Sequence, residues 1–207
     1  MEVSSFTTQV GSELIEAYGT LATSLVSDIL DRQIGMYGLL PYHDGSAMVG
    51  RAFTVKTREG DNRAIHEALD QTMPGDVIVV DGAGLLMRAL IGEIIVEKAL
   101  SIGVAGFVID GAIRDVEAIR EMSMPCYARG VSHLGPYKTG PGTLNQPIAC
   151  CGSVVMPGDL VLGDADGVIA LSASTAQRIL AEVRSKGEHE TKKIAAIRAG
   201  GTRTNAG

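Results

Sequence analysis

Between Ser12 and Arg32 apolar residues recur at helical spacing, at Leu14, Ile15, Leu21, Leu25, Ile29 and Leu30, and Gly19 interrupts them. The pattern predicts two helices or one kinked helix. After the turn-rich GMYGLLPYHDG at 35–45, the alternation of Phe53, Val55 and Thr57 in GRAFTVKT predicts a strand. Asp61 to Gln71 reads as a helix entered through the Gly60-Asp61-Asn62 turn. The unbroken apolar run in PGDVIVVDG at 74–82 reads as a buried strand, and the glycine-rich loop behind it as the approach to further helices. Ile94, Ile95, Leu100 and Ile102 then mark a helix that begins near Gly92 and stops at Gly103. Val104 to Ile109 is an all-apolar strand, Asp110-Gly111 a turn, and a short helix reaches from Asp115 to Met122. MPCYARG at 124–130 and the stretch from Pro147 to Leu171 read as β, separated by a loop holding Gly135, Pro136, Gly140, Pro141 and Gly142. Helical spacing returns from Ala173 to about Ala199, and the tail from about Gly200 is expected to be disordered. Strands alternating with helices, followed by a strand-rich half, predict a mixed α/β fold.

Composition narrows the picture. A chain of 207 residues that is 45% hydrophobic can bury a sizeable core, so residues 1–207 are expected to form a single domain. The net charge of −6 and the absence of a long basic run argue against a nucleic-acid partner. Cys126 and the adjacent Cys150-Cys151 make neither a disulfide framework nor a spaced zinc motif, and read as reduced thiols. No signal-type segment stands at the start, and no apolar run nears the roughly 18 residues a bilayer requires. The expectation is a soluble cytoplasmic protein with no membrane partner.

The chemistry concentrates between Gly92 and Asp115. The first turn of the helix at Gly92 presents free N–H groups, a ready site for an anion such as a carboxylate. The next strand returns the chain to the same end of the sheet, where Arg114 and Asp115 can converge on that turn. A cation, a carboxylate and a helix N-terminus together point to a small anionic substrate and a divalent ion. Each part also has an ordinary reading: Gly92 as backbone punctuation, Glu93 as dipole compensation, Asp115 as the N-cap of its helix. Other residues offer less. Lys56 could form an imine with a keto acid, but it faces away from Phe53 and Val55, towards solvent. Gly82 and Gly84 begin a phosphate-binding fingerprint that Met87 breaks, which argues against a nucleotide. His66 reads as a surface or packing residue, His133 as a loop residue without metal-ligand partners, Asp164 and Asp166 as an Asx turn, and Ser27 and Asp28 as capping or surface residues.

Glu93, twenty intervening residues and Arg114-Asp115 resemble the signature of the class II pyruvate aldolases that act on 4-hydroxy-4-methyl-2-oxoglutarate and 4-carboxy-4-hydroxy-2-oxoadipate. SDILDR at 27–32, VGRAFTV at 49–55, PGDVIVVDG at 74–82, DGAIRD at 110–115 and PGDLVLGDADGV at 157–168 extend the resemblance over most of the chain. The same superfamily holds the regulator of ribonuclease E activity A (RraA) and members once labelled methyltransferases. The resemblance implies a three-layer swivelling β/β/α domain, RraA-like, assembled as a homotrimer or a hexamer of two trimers. It implies a lyase in which Asp115 binds Mg²⁺ or Mn²⁺ directly and Glu93 does so through a water. The N–H groups of Gly92, Glu93, Ile94 and Ile95 would hold the carboxylate of a 2-oxo acid. Arg114 would contact the keto oxygen and stabilise the pyruvate enolate, which would also support oxaloacetate decarboxylase activity. The aldolase pattern has Asp where this chain has Glu93, and no residue is singled out as the base for the 4-hydroxyl. The alternative function is a non-catalytic protein that binds and regulates ribonuclease E.

Overall fold

The structure, a computed structural model, describes residues 10–32 and 35–200. The expectation for the tail falls on residues 201–207, outside the described residues.

The described residues open with two short helices, α1 (Ser12–Tyr18) and α2 (Thr23–Ile29), separated at Gly19, the C-cap of α1. The first turn of α2 is closed by a distant residue: Thr23 donates its N–H and its hydroxyl to the Asp164 carboxylate at 2.8 and 2.7 Å. In chain order there follow β1 (Leu40–Pro41), β2 (Met48–Thr57), α3 (Arg63–Leu69), β3 (Asp76–Asp81), β4 (Ala89–Ile91), α4 (Glu93–Ser101), β5 (Gly106–Ile113), α5 (Val116–Glu121) and β6 (Cys126–Val131). The short strands β7 (Gly142–Leu144), β8 (Ile148–Cys150) and β9 (Ser153–Val155) precede β10 (Leu160–Asp164), β11 (Gly167–Leu171) and the long α6 (Ala173–Arg198).

The main sheet runs β1-β6-β5-β3-β2-β10-β11, with β4 added beside β5 and β7 beside β2. Its centre, β6-β5-β3-β2, is parallel, which requires crossover connections, and α3, α4 and α5 supply them. The outer pairs are antiparallel. Met36 bridges Val168 on β11 while Leu40, four residues on, pairs with Ala128 on β6. Because so short a segment joins the two edges of the path, the sheet is nearly closed on itself.

Side-chain alternation builds the layers. On β3, Ile78 and Val80 join Ile65, Ile95, Val96 and Ile119 of the helices, while Val77 and Val79 join Met48, Val108, Tyr127 and Val161 inside the curved sheet. Every residue of β3 and β5 is buried, as expected of parallel strands covered on both faces. A third cluster packs α1, α2 and α6 on β10 and β11 through Tyr18, Val26, Leu162, Ile169, Ile179 and Val183.

Two expectations need correction. Asp110-Gly111 is not a turn: β5 continues to Ile113, with an irregularity in its pairing between Ile109 and Ala112. Burial decides this, since the Asp110 carboxylate is held inside by Arg129 and by the Cys151 N–H at 2.9 Å. No helix lies between β3 and α4, where the chain forms turns and then β4. Ala83 and Gly84 both have positive φ, 57° and 68°, so a helix cannot start there.

Candidate active site

The prolonged β5 places the site. Adjacent parallel strands β4 and β5 end together, and the Arg114 N–H donates to the Ile91 carbonyl at 3.0 Å. One residue after β4, Gly92, the chain turns into α4, and two residues after β5, Arg114 and Asp115, it turns into α5. The Gly92 carbonyl accepts from Ile95 N–H at 3.0 Å and Val96 N–H at 3.2 Å, which closes the first turn of α4. Of the expected anion-binding amides, that of Ile95 is thus engaged within the helix. The Glu93 N–H is taken by the Asp115 carboxylate, so the outward set narrows to Gly92 and Ile94.

Asp115 stands at the N-cap position of α5 but makes no side-chain cap bond to it. Its backbone is left-handed, φ 57° and ψ 39°, a conformation Asp tolerates at a cost of about 1–3 kcal/mol. Its carboxylate crosses to α4, where Oδ2 accepts the Glu93 N–H at 3.1 Å and lies 3.4 Å from Arg114 Nε. Both side chains are partly open, Arg114 at 40% and Asp115 at 39%. Gly92 makes the approach possible: a methyl group there would overlap Asp115 Oδ2 and come within 2.9 Å of Arg114 Cγ. Arg114 Nη1 also lies close enough to Gly135 that a Cβ there would stand 3.2 Å away.

The donor set suits a hard divalent cation that keeps several waters. Asp115 Oδ1 carries no protein hydrogen bond among the described residues, and exposed Glu93 adds a second carboxylate from the neighbouring helix turn. Asp110, Cys150 and Cys151 also cluster, but deep in the sheet. Both Asp110 oxygens are already bonded there. The Cys150 thiol is driven far up, by its hydrogen bond to Cys151 and then by burial, so it stays protonated and is a poor ligand. Burial likewise pushes Cys126 up to about 12. Lys56 is 63% exposed and 3.3 Å from Asp81, not the desolvated amine that imine chemistry requires.

Beside the strand ends lies a cavity of about 80 Å³, walled by Gly92, Ile94 and Arg114 on one side and by Asn62, His66 and Lys138 on the other. His66, read from sequence as a surface or packing residue, lines this cavity from α3. Burial, and then Lys138 and Lys98, hold its imidazole below the ordinary range and favour the neutral form, outweighing Asp70. Sequence reasoning gave Asn62 only a place in a turn and passed over Lys138. The available signal was the Asp61-Asn62 pair just ahead of an amphipathic helix. Asp61 has no exposed surface and accepts backbone N–H groups of Arg63, Thr139 and Gly140 at 2.9, 2.8 and 2.9 Å, tying the 135–140 loop to α3. Arg88 secures the same loop, donating to the Gly135 carbonyl at 2.7 Å and lying 4.1 Å over the Tyr137 ring. A wider groove of about 690 Å³ between α2 and α6 contains none of these residues.

Comparison with known proteins bears on the family and the fold. Residues 23–170 match the family model described as RraA-like, Aldolase/RraA. A protein of Halalkalibacterium halodurans, provisionally named 4-hydroxy-4-methyl-2-oxoglutarate aldolase, is 36% identical over 190 residues, 91% of this chain and 90% of that protein. Among solved structures, an uncharacterized protein of Pseudomonas syringae pv. tomato superposes with a TM-score of 0.85 at 27% identity, covering 94% of this chain and 96% of its own. The RNA-processing inhibitor RraA of Thermus thermophilis does so with a TM-score of 0.67 at 30% identity, over 72% of this chain and 92% of its own.

Proposed function

We propose, for a chain that belongs to the RraA-like family, a divalent-metal-dependent class II aldolase that cleaves 4-hydroxy-2-oxo acids such as 4-hydroxy-4-methyl-2-oxoglutarate to pyruvate and a second carbonyl compound. The observation that carries the proposal is the convergence of Asp115 and Arg114 on the N-terminus of α4, across a glycine that leaves no room for a side chain. The aldolase name of the Halalkalibacterium halodurans relative supports the reaction class.

Each residue has a task that follows from its position. The N–H groups of Gly92 and Ile94 receive the carboxylate of the 2-oxo acid, aided by the dipole of α4, while the Glu93 N–H steadies the Asp115 carboxylate. Arg114 faces the keto oxygen and stabilises the negative charge that gathers there as the C3–C4 bond breaks. Asp115 would hold Mg²⁺ or Mn²⁺ directly and Glu93 would do so through a water. A bound ion supplies Lewis-acid polarisation of the keto group. Oxaloacetate decarboxylation yields the same pyruvate enolate and is proposed as a second activity.

Large apolar side chains are exposed on the segments around the site: Ile94 is 77% exposed and Met87 65%, with Leu86 and Leu134 also open. We take this as support for a homotrimer or hexamer with the site near a subunit contact. The chain is proposed to act as one domain in the cytoplasm, and no described helix is long and apolar enough to cross a membrane. The alternative, regulation of ribonuclease E by contact, draws on the Thermus thermophilis neighbour. It has no use for the Gly92, Arg114 and Asp115 arrangement. Pyruvate release from a panel of 4-hydroxy-2-oxo acids and oxaloacetate, with Mg²⁺ or Mn²⁺, tests the proposal. Turnover of at least one hydroxy acid is expected, and none from any substrate would refute it.

A further inference from the structure

Asn62, which lines the cavity beside Gly92, carries a polar atom that the described residues do not use. Asn62 is 4% exposed, and its Nδ2 donates to the Leu90 carbonyl at 3.1 Å, which fixes the orientation of the amide. Its Oδ1 is then a buried acceptor without a hydrogen-bond partner among the described residues. Leaving such a group unsatisfied costs about 1–3 kcal/mol, and an orphan of this kind beside a reactive centre calls for a ligand donor. Four residues further along, one turn of α3 away on the same face, His66 lines the same cavity. Burial, then Lys138 on the loop and Lys98 on α4, oppose its protonation, and Asp70 favours the cation; Arg114 lines the same cavity.

Resting on the aldolase reading above, we infer that this cavity seats the hydroxyl-bearing carbon of the substrate, with Asn62 holding the 4-hydroxyl and His66 taking its proton as the C3–C4 bond breaks. The cavity adjoins the amides that receive the 2-oxo acid carboxylate, and Arg114 lines both. A substrate anchored at α4 therefore projects its fourth carbon towards α3. The hydroxyl hydrogen is shared between the amide oxygen, which positions it and cannot itself be protonated, and an imidazole nitrogen, which can. When the O–H bond breaks, the proton goes to His66 and the oxygen lone pair forms the new C4 carbonyl. The C3–C4 electron pair moves into the C2–C3 bond of the enolate, and the former keto oxygen takes the charge. Return of a proton to C3 gives pyruvate, and no oxidant or reductant is needed. Lys138 offers a cation for a second carboxylate on the departing fragment.

Decarboxylation of oxaloacetate makes the same enolate without a hydroxyl to deprotonate, so it separates this inference from the reading it rests on. The measurement is the ratio of 4-hydroxy-4-methyl-2-oxoglutarate cleavage to oxaloacetate decarboxylation, with Mg²⁺, on one preparation of each variant. His66→Gln keeps a polar side chain but cannot take the proton, and the ratio is expected to fall by about 10²–10⁴. Asn62→Ser is expected to lower the ratio by roughly tenfold, a typical loss for a positioning hydrogen bond, mainly through a higher KM for the hydroxy acid. A wild-type protein with both activities and a His66→Gln variant with an unchanged ratio would overturn the inference alone. So would a proportional loss of both activities, which would make His66 structural. Absence of both activities in the wild type would overturn the aldolase reading and this inference with it.

Discussion

Substituting Gly92 by alanine adds one methyl group at the point where the account is most demanding. The backbone there is extended, φ −155° and ψ −170°, so alanine meets no conformational penalty of its own. The whole effect must come from what the methyl touches. Arg114 Cγ, at 2.9 Å, has to withdraw by about 0.6 Å to reach an ordinary carbon–carbon separation of ~3.5 Å, and Asp115 Oδ2 has to move further. Both side chains are partly exposed and can retreat into solvent, so global stability should fall by no more than about 1 kcal/mol, near the centre of the range for point substitutions in general. Catalysis should not be so forgiving, because displacing positioned charges by about 1 Å costs roughly a hundredfold in rate. The assay is pyruvate release coupled to lactate dehydrogenase, run beside a thermal melt. A large loss in kcat/KM at nearly constant Tm is expected. Wild-type turnover in Gly92→Ala would refute the claim that Asp115 and Arg114 work from where the structure places them. A loss of turnover matched by a large fall in Tm would refute the claim that the glycine serves the site and not the fold.

Arg114→Ala and Asp115→Asn should fold normally and lose about a hundred- to a thousandfold in kcat, the usual consequence of removing one preorganised charge, as read by steady-state kinetics beside circular dichroism. Glu93→Asp should bind Mn²⁺ nearly as well as wild type but shift the ratio of aldol cleavage to decarboxylation. If it and Glu93→Gln both leave kinetics unchanged, Glu93 is only a helix-start residue. Asp61 gives a pH prediction. Burial alone would raise its carboxyl, but the N–H groups of Arg63, Thr139 and Gly140 and the Thr139 hydroxyl outweigh burial and hold it below the ordinary range. Its folded value lies below an unfolded value of about 3.9, so its contribution is fully present above that pH and is lost as pH falls through the folded value. Asp61→Asn should therefore lower Tm at pH 7, by the order of 1–3 kcal/mol in stability, and flatten the acid limb of the Tm–pH curve. Parallel Tm–pH curves for both proteins would show that the carboxylate does not carry this coupling.

Periodicity revealed most of the elements because burial in this fold follows it. Val77 and Val79 against Ile78 and Val80 are separated by the two faces of one sheet, and Ile179 and Val183 by one face of one helix. Where it misled, long-range contacts had overridden a local signal. Asp110-Gly111 looks like a turn in isolation, yet it lies inside a strand because Arg129 and Cys151 solvate the carboxylate from elsewhere in the chain. Leu85 to Arg88 could pass for helix, but the left-handed pair Ala83-Gly84 sets the path towards β4. The convergence of Asp115 on α4 was legible because two consecutive parallel strands must end on one edge. The role of the other wall was not legible: Asn62, His66 and Lys138 meet only after the 135–140 loop folds back, through Asp61, onto α3. Nothing in the local sequence of that loop announces its partner.

The central claim is that Asp115, Arg114 and the α4 N-terminus hold a 2-oxo acid with a divalent ion and stabilise its enolate. Exchange of pyruvate methyl protons for deuterium, followed by NMR in heavy water, tests it without needing the physiological hydroxy acid. The account predicts exchange that requires Mg²⁺ or Mn²⁺, stops in excess chelator and is lost in Asp115→Asn. Exchange that persists undiminished in chelator, or that Asp115→Asn retains in full, would contradict it.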